Sequence, residues 1–94
     1  MFRFNAFFSL KEDVKIEDAL ALAHELVEKS RKDEGCISYD LFQSTTNPRT
    51  MLFCETWKDQ ACIDKHASAE HFTTIVPKLE ALTENGLKLE KFEF

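Results

Sequence analysis

The sequence has only two glycines among its 94 residues, Gly35 and Gly86. Phosphate-binding loops and the G-x-G-x-x-G dinucleotide fingerprint need several closely spaced glycines, because the backbone must approach the phosphates. Neither motif can therefore be present. The sequence also lacks an H-E-x-x-H pair and a Cys/His quartet, so nothing in it indicates a nucleotide site or a structural zinc site.

Cysteine is scarce, and the three residues, Cys36, Cys54 and Cys62, show no C-x-x-C spacing. An odd number of cysteines does not encode a disulfide framework. No apolar run approaches the roughly 20 residues of a membrane-spanning helix, and the N-terminal residues lack a signal-peptide cleavage pattern. We therefore expect a protein of the reducing cytoplasm that makes no contact with a membrane.

Positive charge is also in short supply, because 12 Lys and Arg face 17 Asp and Glu, for a net charge of −5. Nucleic-acid binding usually needs a basic face, and no run of Lys or Arg is present. We expect no nucleic-acid partner. Apolar residues, by contrast, make up 44% of the chain and include nine Phe. This length and composition predict one packed domain over residues 1–94.

Hydrophobic periodicity predicts seven elements. An alternation of period two indicates strands, and a repeat of 3.6 residues indicates helices. We expect strands over about 2–9, 36–43, 51–57 and 87–94, a helix from 16 to 30, a short helix begun by Asp59, and a third helix running from Ser68 to Leu82. The order β-α-β-β-α-α-β is typical of a ferredoxin-like α+β fold, with a four-stranded antiparallel sheet and helices on one face.

Five details concern the ends and interruptions of these elements. Gly35 is placed to cap the first helix in a left-handed conformation, and Gly86, after Asn85, to end the third. Ser68 is a candidate N-cap for the third helix, which Pro77 should kink or divide. The alternation of the last strand slips one place after Leu89, which predicts a bulge between Leu89 and Phe92.

The predicted strands carry large apolar side chains on both faces of the sheet. In the second strand, Ile37, Tyr39 and Leu41 share one face, while Phe42 lies on the other. The helices can cover only one sheet face, and no element remains to cover the second. A contiguous apolar face of this kind is what a homodimer buries. We therefore expect a homodimer formed through the sheet faces, which is a dimeric α+β barrel.

Two histidines are candidate acids or bases. His66 lies near the apolar edge of its helix and is either a pocket base with a pKa near neutrality or a hydrogen-bonded helix-end residue. His71 lies in the first turn after Ser68 and is either a neutral base or a partly exposed structural residue. On one continuous helix they would lie about 140° apart. With no third ligand evident, we expect no metal site.

Several other side chains have the chemistry of a binding pocket. Glu55 shares a strand face with Phe53 and Trp57, so it is either a carboxylate of raised pKa in a cavity or the partner of a cation at the subunit boundary. Trp57 and Phe72 are large enough to wall an aromatic pocket or to fill a core. Tyr39 is either a residue that orients a substrate oxygen or one that forms a structural hydrogen bond.

Three segments carry a family resemblance: E-G-C at residues 34–36 followed by Tyr39, E-T-W at 55–57, and H-A-S-A-E-H-F at 66–72. They resemble the E-G-C-x-x-Y, E-x-W and H-x-x-x-x-H-F pattern of the antibiotic biosynthesis monooxygenase (ABM) domain. The resemblance implies a dimeric ferredoxin-like fold with one pocket per subunit between sheet and helices. Members include cofactor-independent monooxygenases of quinols and polyketide-like aromatics, an isomerase of a phosphorylated signalling sugar derivative, and haem-degrading enzymes.

The resemblance also bears on individual positions. Asn5 occupies the place where the haem-binding oxygenases of the family carry an Asn on the first strand; its amide could orient a substrate oxygen or form a sheet-edge hydrogen bond. His66 stands where those enzymes carry a pocket Trp, and Val76 near their iron-ligating His. The match therefore does not favour haem degradation, and we expect no cofactor.

These residues lead us to expect a cofactor-independent monooxygenase that oxidises a small electron-rich aromatic, a quinol or polyketide-like phenol, with dioxygen. His66 or His71 would act as the base and Asn5 would orient the oxygen. The substrate contacts would come from Phe53, Glu55, Trp57, Phe72 and Tyr39. Two alternatives stay open. One is an isomerase or tautomerase of a small carbonyl compound, with an anion held by Lys65, Arg49 or Lys78; the other is a non-catalytic dimeric ligand-binding module.

Overall fold

The seven predicted elements are all present in the computed structural model, which describes residues 1–94. In chain order they are β1 (Phe2–Ser9), α1 (Ile16–Ser30), β2 (Cys36–Gln43), β3 (Thr50–Trp57), α2 (Gln60–Ser68), α3 (Glu70–Glu80) and β4 (Lys88–Glu93). The predicted ferredoxin-like order is confirmed. No helix has both the length and the apolar content needed to cross a bilayer.

The four strands form one antiparallel sheet in the order β2-β3-β1-β4. Ala6 of β1 lies opposite Phe53 of β3 and Leu89 of β4, and Phe53 lies opposite Leu41 of β2. Because side chains alternate along a strand, these residues share one face, which we call the inner face. The helices pack on the inner face, so the predicted arrangement of helices on one side of the sheet is also confirmed.

The core lies between the inner face and helices α1 and α3. From the sheet it takes Ala6, Phe8, Tyr39, Met51, Phe53 and Trp57, and from the two helices Ala19, Ala23, Leu26, Val27, Ile75, Val76 and Leu79. In α1 the buried residues recur at helical spacing, which is the stripe seen in the sequence. Burial of this stripe, rather than a capping side chain, stabilises α1, because Lys15 at its N-cap makes no side-chain hydrogen bond.

Gly35 does not cap α1, so that prediction is wrong. The helix ends at Ser30 with Arg31 in a right-handed conformation, and Gly35 lies in the turn that leads into β2, with φ of +77°. A Cβ at this position would collide with the side chain of Cys62 in α2. Glycine is therefore needed here for two reasons, the left-handed backbone and the close approach of α2.

The boundary between α2 and α3 also differs from the prediction. Ser68 is the last residue of α2, where its hydroxyl donates to the carbonyl of Lys65 (3.0 Å), and it caps nothing. Ala69 breaks the helix with an extended backbone, at φ −68° and ψ 148°. Pro77 lies inside α3 without dividing it, since proline removes only one hydrogen bond of the ladder. The helix ends at Glu80, well before Gly86.

The predicted bulge in β4 is wrong. The strand pairs with β1 in continuous register, from Lys88 opposite Phe7 to Glu93 opposite Phe2. The irregularity lies in β2 between Cys36 and Ser38, where the intervening Ile37 is left unpaired and 55% exposed. The spacing predicted that Ile37 shares the face of Tyr39, and this prediction is wrong. The slip in the apolar pattern of β4 occurs because β4 is an edge strand that is exposed along its whole length. Neither face of it has to be apolar throughout.

Candidate active site

A cavity of about 330 Å³ lies between the inner face of the sheet and helices α2 and α3. Most of its lining is apolar, and aromatic rings from β1, β3 and α3 contribute to it. The apolar residues include Phe4, Phe53, Ile63, Phe72, Leu87 and Leu89, and the polar ones are Tyr39, Glu55, His66 and Glu80. An apolar cavity with a few polar groups has the composition of a small-molecule site.

His66 in α2 presents a neutral imidazole to this cavity. Its Nδ1 lies 2.7 Å from Oδ2 of Asp33. Because a carboxylate only accepts, Nδ1 carries the proton and Nε2 keeps its lone pair. Burial lowers the pKa of the ring, against the opposing effect of the Asp33 hydrogen bond and charge. Nε2 is buried and has no hydrogen-bond partner, so it is the atom left for a ligand.

Aromatic neighbours hold the His66 ring in place. It packs on the indole of Trp57 with 4.5 Å between ring centroids, and against the edge of Phe72 at 5.1 Å. Trp57 is fully buried. It packs against the His66 ring and does not line the cavity. The contact fixes the orientation of the imidazole, which a base in a small cavity needs.

Asp33 joins His66 to His71. The same Oδ2 that accepts from His66 also accepts from Nε2 of His71, at 2.8 Å. The extended backbone at Ala69 allows two histidines five positions apart to converge on one oxygen, which a continuous helix would prevent. The side chain of His71 is 15% exposed, and it lines a separate cleft between α1 and α3.

Sequence reasoning missed Asp33 altogether. The residue lies in the turn between α1 and β2, where its backbone is held by hydrogen bonds to the carbonyl of Ser30 (3.0 Å) and from the amide of Cys36 (3.1 Å). No periodic pattern marks it, and its histidine partners follow more than 30 positions later. The one signal in the sequence was Gly35, two positions later, because a glycine there indicates a turn with a left-handed backbone conformation.

Glu55 is a second buried ionisable group in the cavity. Burial raises its pKa to about 7. Hydrogen bonds oppose this rise, and the indole Nε1 of Trp57 donates to Oε1 at 2.8 Å. The structure gives Glu55 no cationic partner within the chain, so the carboxyl faces the cavity as a group of raised pKa. Burial and the nearby Glu55 charge raise the pKa of Tyr39 far above its usual range, which keeps the phenol neutral.

The structure therefore brings together five of the eight residues named from the sequence: His66, Tyr39, Phe53, Glu55 and Phe72 line the cavity. Trp57 and His71 lie next to His66 but outside the cavity. Asn5 is not brought to the site. It pairs with Cys54, on the opposite face of the sheet from its neighbours Phe4 and Ala6, because alternate residues of β1 point away from the helices.

The cavity lining contains no lysine or arginine. The three cations considered for holding an anion are engaged or placed elsewhere. Lys65 forms an exposed ion pair with Glu34, and Arg49 donates to the carbonyls of Lys11 and Val14, both at 2.7 Å. Lys78 does not line the cavity. The site therefore suits a neutral ligand better than an anionic one.

The fold and the site together define a small ferredoxin-like α+β protein with an apolar cavity between its sheet and its helices. The family model of the antibiotic biosynthesis monooxygenase (ABM) family matches residues 1–78. The chain belongs to this family.

Two relatives are similar in sequence to most of this chain. YcnE of Bacillus subtilis, named provisionally as a monooxygenase, is 34% identical over 88 residues, covering 94% of this chain and 92% of YcnE. The protein sll1783 of Synechocystis is 36% identical over 69 residues, or 73% of this chain, but the chain spans only 46% of its length.

Solved structures share the whole architecture. The crystal structure of an antibiotic biosynthesis monooxygenase has a TM-score of 0.93 at 34% identity, covering 100% of this chain and 98% of that one. A conserved protein of unknown function from Bacteroides thetaiotaomicron has a TM-score of 0.90 at 40% identity, covering 99% and 96%.

Proposed function

We propose that this chain is a cofactor-independent monooxygenase that oxidises a small electron-rich aromatic, a quinol or a polyketide-like phenol, with dioxygen. The observation that carries the proposal is that His66, which lines the apolar cavity, keeps a buried and unpartnered Nε2 while its other ring nitrogen is hydrogen-bonded to Asp33. Membership of the ABM family and the provisional name of YcnE support the type of reaction.

The first step is removal of a hydroxyl proton from the aromatic. Nε2 of His66 accepts this proton, and Asp33 stabilises the imidazolium that forms, because its carboxylate lies 2.7 Å from Nδ1. The product of this step is an electron-rich phenolate. Unlike the parent phenol, the phenolate can reduce dioxygen directly, so the substrate itself supplies the electrons.

The phenolate supplies all the electrons that dioxygen takes up, so the reaction needs no other reductant. One electron passes from the phenolate to dioxygen, and the resulting radical pair forms a carbon–oxygen bond, giving a peroxide on the ring. His66 returns its proton to give a hydroperoxide; the ring carbon then loses its proton as the O–O bond breaks, one oxygen stays on the substrate, and the hydroxide that leaves takes up the ring proton to become water. Overall, a quinol and dioxygen give a hydroxyquinone and water, and a phenol with one hydroxyl gives a quinone and water.

The walls of the cavity suit this substrate and this intermediate. Phe4, Phe53 and Phe72 supply flat apolar surfaces for an aromatic ring. An apolar cavity also keeps water from the peroxide. Glu55, with a pKa near neutrality, can either donate a hydrogen bond to a second substrate oxygen or accept one from a second hydroxyl.

The isomerase alternative is less well supported. A phosphorylated carbonyl compound would need a cation close to the base, and none of the candidates Arg49, Lys65 and Lys78 lines the cavity. A non-catalytic module would have little use for a base whose tautomer is held by a partly buried hydrogen bond. We therefore place the oxygenase first.

We also propose that the chain works as a homodimer in the cytoplasm, joined through the outer face of the sheet, which is the face away from the helices. Phe42, Phe92 and Phe94 are each more than half exposed, and by the strand registers Phe42 and Phe92 lie on this face together with Phe7. Large exposed aromatic patches of this kind mark interaction surfaces. Such pairing leaves the cavities on the inner faces free.

Dioxygen uptake tests the catalytic proposal. Purified protein, treated with a chelator, is incubated with a panel of reduced quinols and anthrone-like phenols. We expect uptake with at least one member of the panel, retained in His24→Ala, an exposed histidine of α1, and lost in His66→Ala. Uptake that His66→Ala leaves unchanged would overturn the assignment of the base.

A further inference from the structure

We propose that Asp33, His66 and His71 form a binding site for one divalent transition-metal ion of the zinc type. The ligand atoms of these three side chains all lie within 4.8 Å of one another. They come from three different parts of the fold: the turn after α1, helix α2 and the first turn of α3. The inference goes beyond the proposed oxygenase activity and does not depend on it.

The geometry favours one shared centre. His66 Nδ1 and His71 Nε2 both lie within hydrogen-bond distance of Oδ2 of Asp33, at 2.7 and 2.8 Å. A cation that replaces the two N–H protons would lie between these nitrogens. Zinc–ligand distances are about 2.0–2.2 Å, so the carboxylate oxygen must move away from both nitrogens, and the two rings must adjust with it, to admit the ion. The side chain of Asp33 is 18% exposed, which leaves it room to move.

The donor set selects the class of metal. Two imidazole nitrogens and one carboxylate oxygen suit zinc and its neighbours among the first-row transition metals, whereas magnesium and calcium prefer oxygen ligands alone. Three protein ligands leave a position for water.

The surroundings already hold the ligands in position. His66 is wedged between Trp57 and Phe72, and the Asp33 backbone is fixed by hydrogen bonds with Ser30 and Cys36. Such support lowers the ordering cost of binding. His71 and Asp33 are partly exposed, which gives the ion a route from the cleft between α1 and α3 without passing through the substrate cavity.

Occupation would change the chemistry of His66. A metal on Nδ1 leaves the ring proton on Nε2, which is the atom that the proposed function uses as a base. Bound metal would therefore switch the proposed oxygenase off. This consequence rests on the proposed function, but the binding itself can be measured without any substrate.

The test is zinc binding to chelator-treated protein. Binding is measured by calorimetry and by the shift in the thermal unfolding temperature. We expect one zinc per chain and a higher melting temperature with zinc but not with magnesium, because a ligand that binds only the folded state stabilises it. Affinity should fall at least about tenfold in His71→Ala and in Asp33→Asn. The exposed-histidine variant His24→Ala should bind as the wild type does.

Three results would overturn the inference: no zinc binding by the wild type, equal binding by His71→Ala and Asp33→Asn, or loss of binding in His24→Ala. His71→Gln provides a second, conservative variant in case His71→Ala does not fold. Cobalt substitution separates this site from one made by cysteines, because a thiolate ligand gives an intense near-ultraviolet charge-transfer band. We expect no such band, and its presence would assign the metal to the cysteines.

Discussion

Asp33 and His66 lie 33 positions apart in the chain and are joined by a 2.7 Å hydrogen bond from Nδ1 to Oδ2. This contact determines which nitrogen of the imidazole bears the proton. The free lone pair is therefore on Nε2 of a residue that lines the cavity, and the negative charge is placed where it can stabilise the protonated ring. The relationship depends on the turn between α1 and β2 as much as on either side chain.

Asp33→Asn should therefore impair turnover more than binding. The asparagine amide can donate to Nδ1, which would move the ring proton to Nε2 and remove the base. We expect kcat to fall about 100-fold or more, with KM changed little, because a general base contributes about 10²–10⁴ to the rate. Asp64→Asn, at an exposed site in α2, is the control. Equal kcat in Asp33→Asn and wild type would show that Asp33 does not orient the base.

The buried carboxyl of Glu55 should make stability depend on pH. Its folded pKa of about 7 lies above the value of an exposed glutamate, so between about pH 4.5 and pH 7 the folded state binds more protons than the unfolded state. The contribution of Glu55 to stability should therefore fall as pH rises through this window and level off above it. The loss for this one group is on the order of 3 kcal/mol.

Glu55→Gln isolates this contribution, since its side-chain carbonyl can still accept from Trp57 and carries no charge. Urea unfolding at pH 5 and at pH 8 gives the free energy of unfolding of each protein. We expect the wild type to lose more of this free energy than the variant when the pH is raised from 5 to 8. If both proteins lose the same stability between pH 5 and pH 8, the carboxyl does not titrate as described.

The two glycines offer a matched pair of substitutions. Both have positive φ, +77° at Gly35 and +76° at Gly86, but only a side chain at Gly35 would collide with Cys62. Gly86→Ala should cost about 1–2 kcal/mol of unfolding free energy from backbone strain. Gly35→Ala should cost clearly more, because α2 must also move. Equal losses in chemical denaturation would mean that the close approach of α2 to this turn is unimportant.

The proposed dimer predicts a sedimentation mass near twice 10.9 kDa at micromolar concentration. Phe42→Glu places a charge on the outer face of the sheet, where burial against a second copy would be unfavourable, and should give a monomer. Ala21→Glu, at an exposed position of α1, should leave the dimer intact. A wild type that sediments as a monomer would contradict the proposed interface.

Element order could be predicted from the sequence because hydrophobic periodicity reports which face of each segment is buried. Where burial is weak, the pattern misleads: it predicts a bulge in the exposed edge strand β4, whereas the observed irregularity at Ile37 leaves no sign in the alternation. The site could be predicted only in part. His66, Glu55 and Phe53 belong to periodic segments that face the core, whereas Asp33 lies in a turn whose path is set by tertiary contacts. Asn5 was assigned by resemblance, and the strand's alternation turns it away.

The most direct test of the central claim, that His66 serves a monooxygenase reaction in this cavity, is product analysis under ¹⁸O₂ with a quinol that supports uptake. We expect one ¹⁸O atom in each product molecule, and a rate at least about 100-fold lower in His66→Ala with the melting temperature within a few degrees of the wild type. Product without label, or an unchanged rate in the His66→Ala variant, would contradict it.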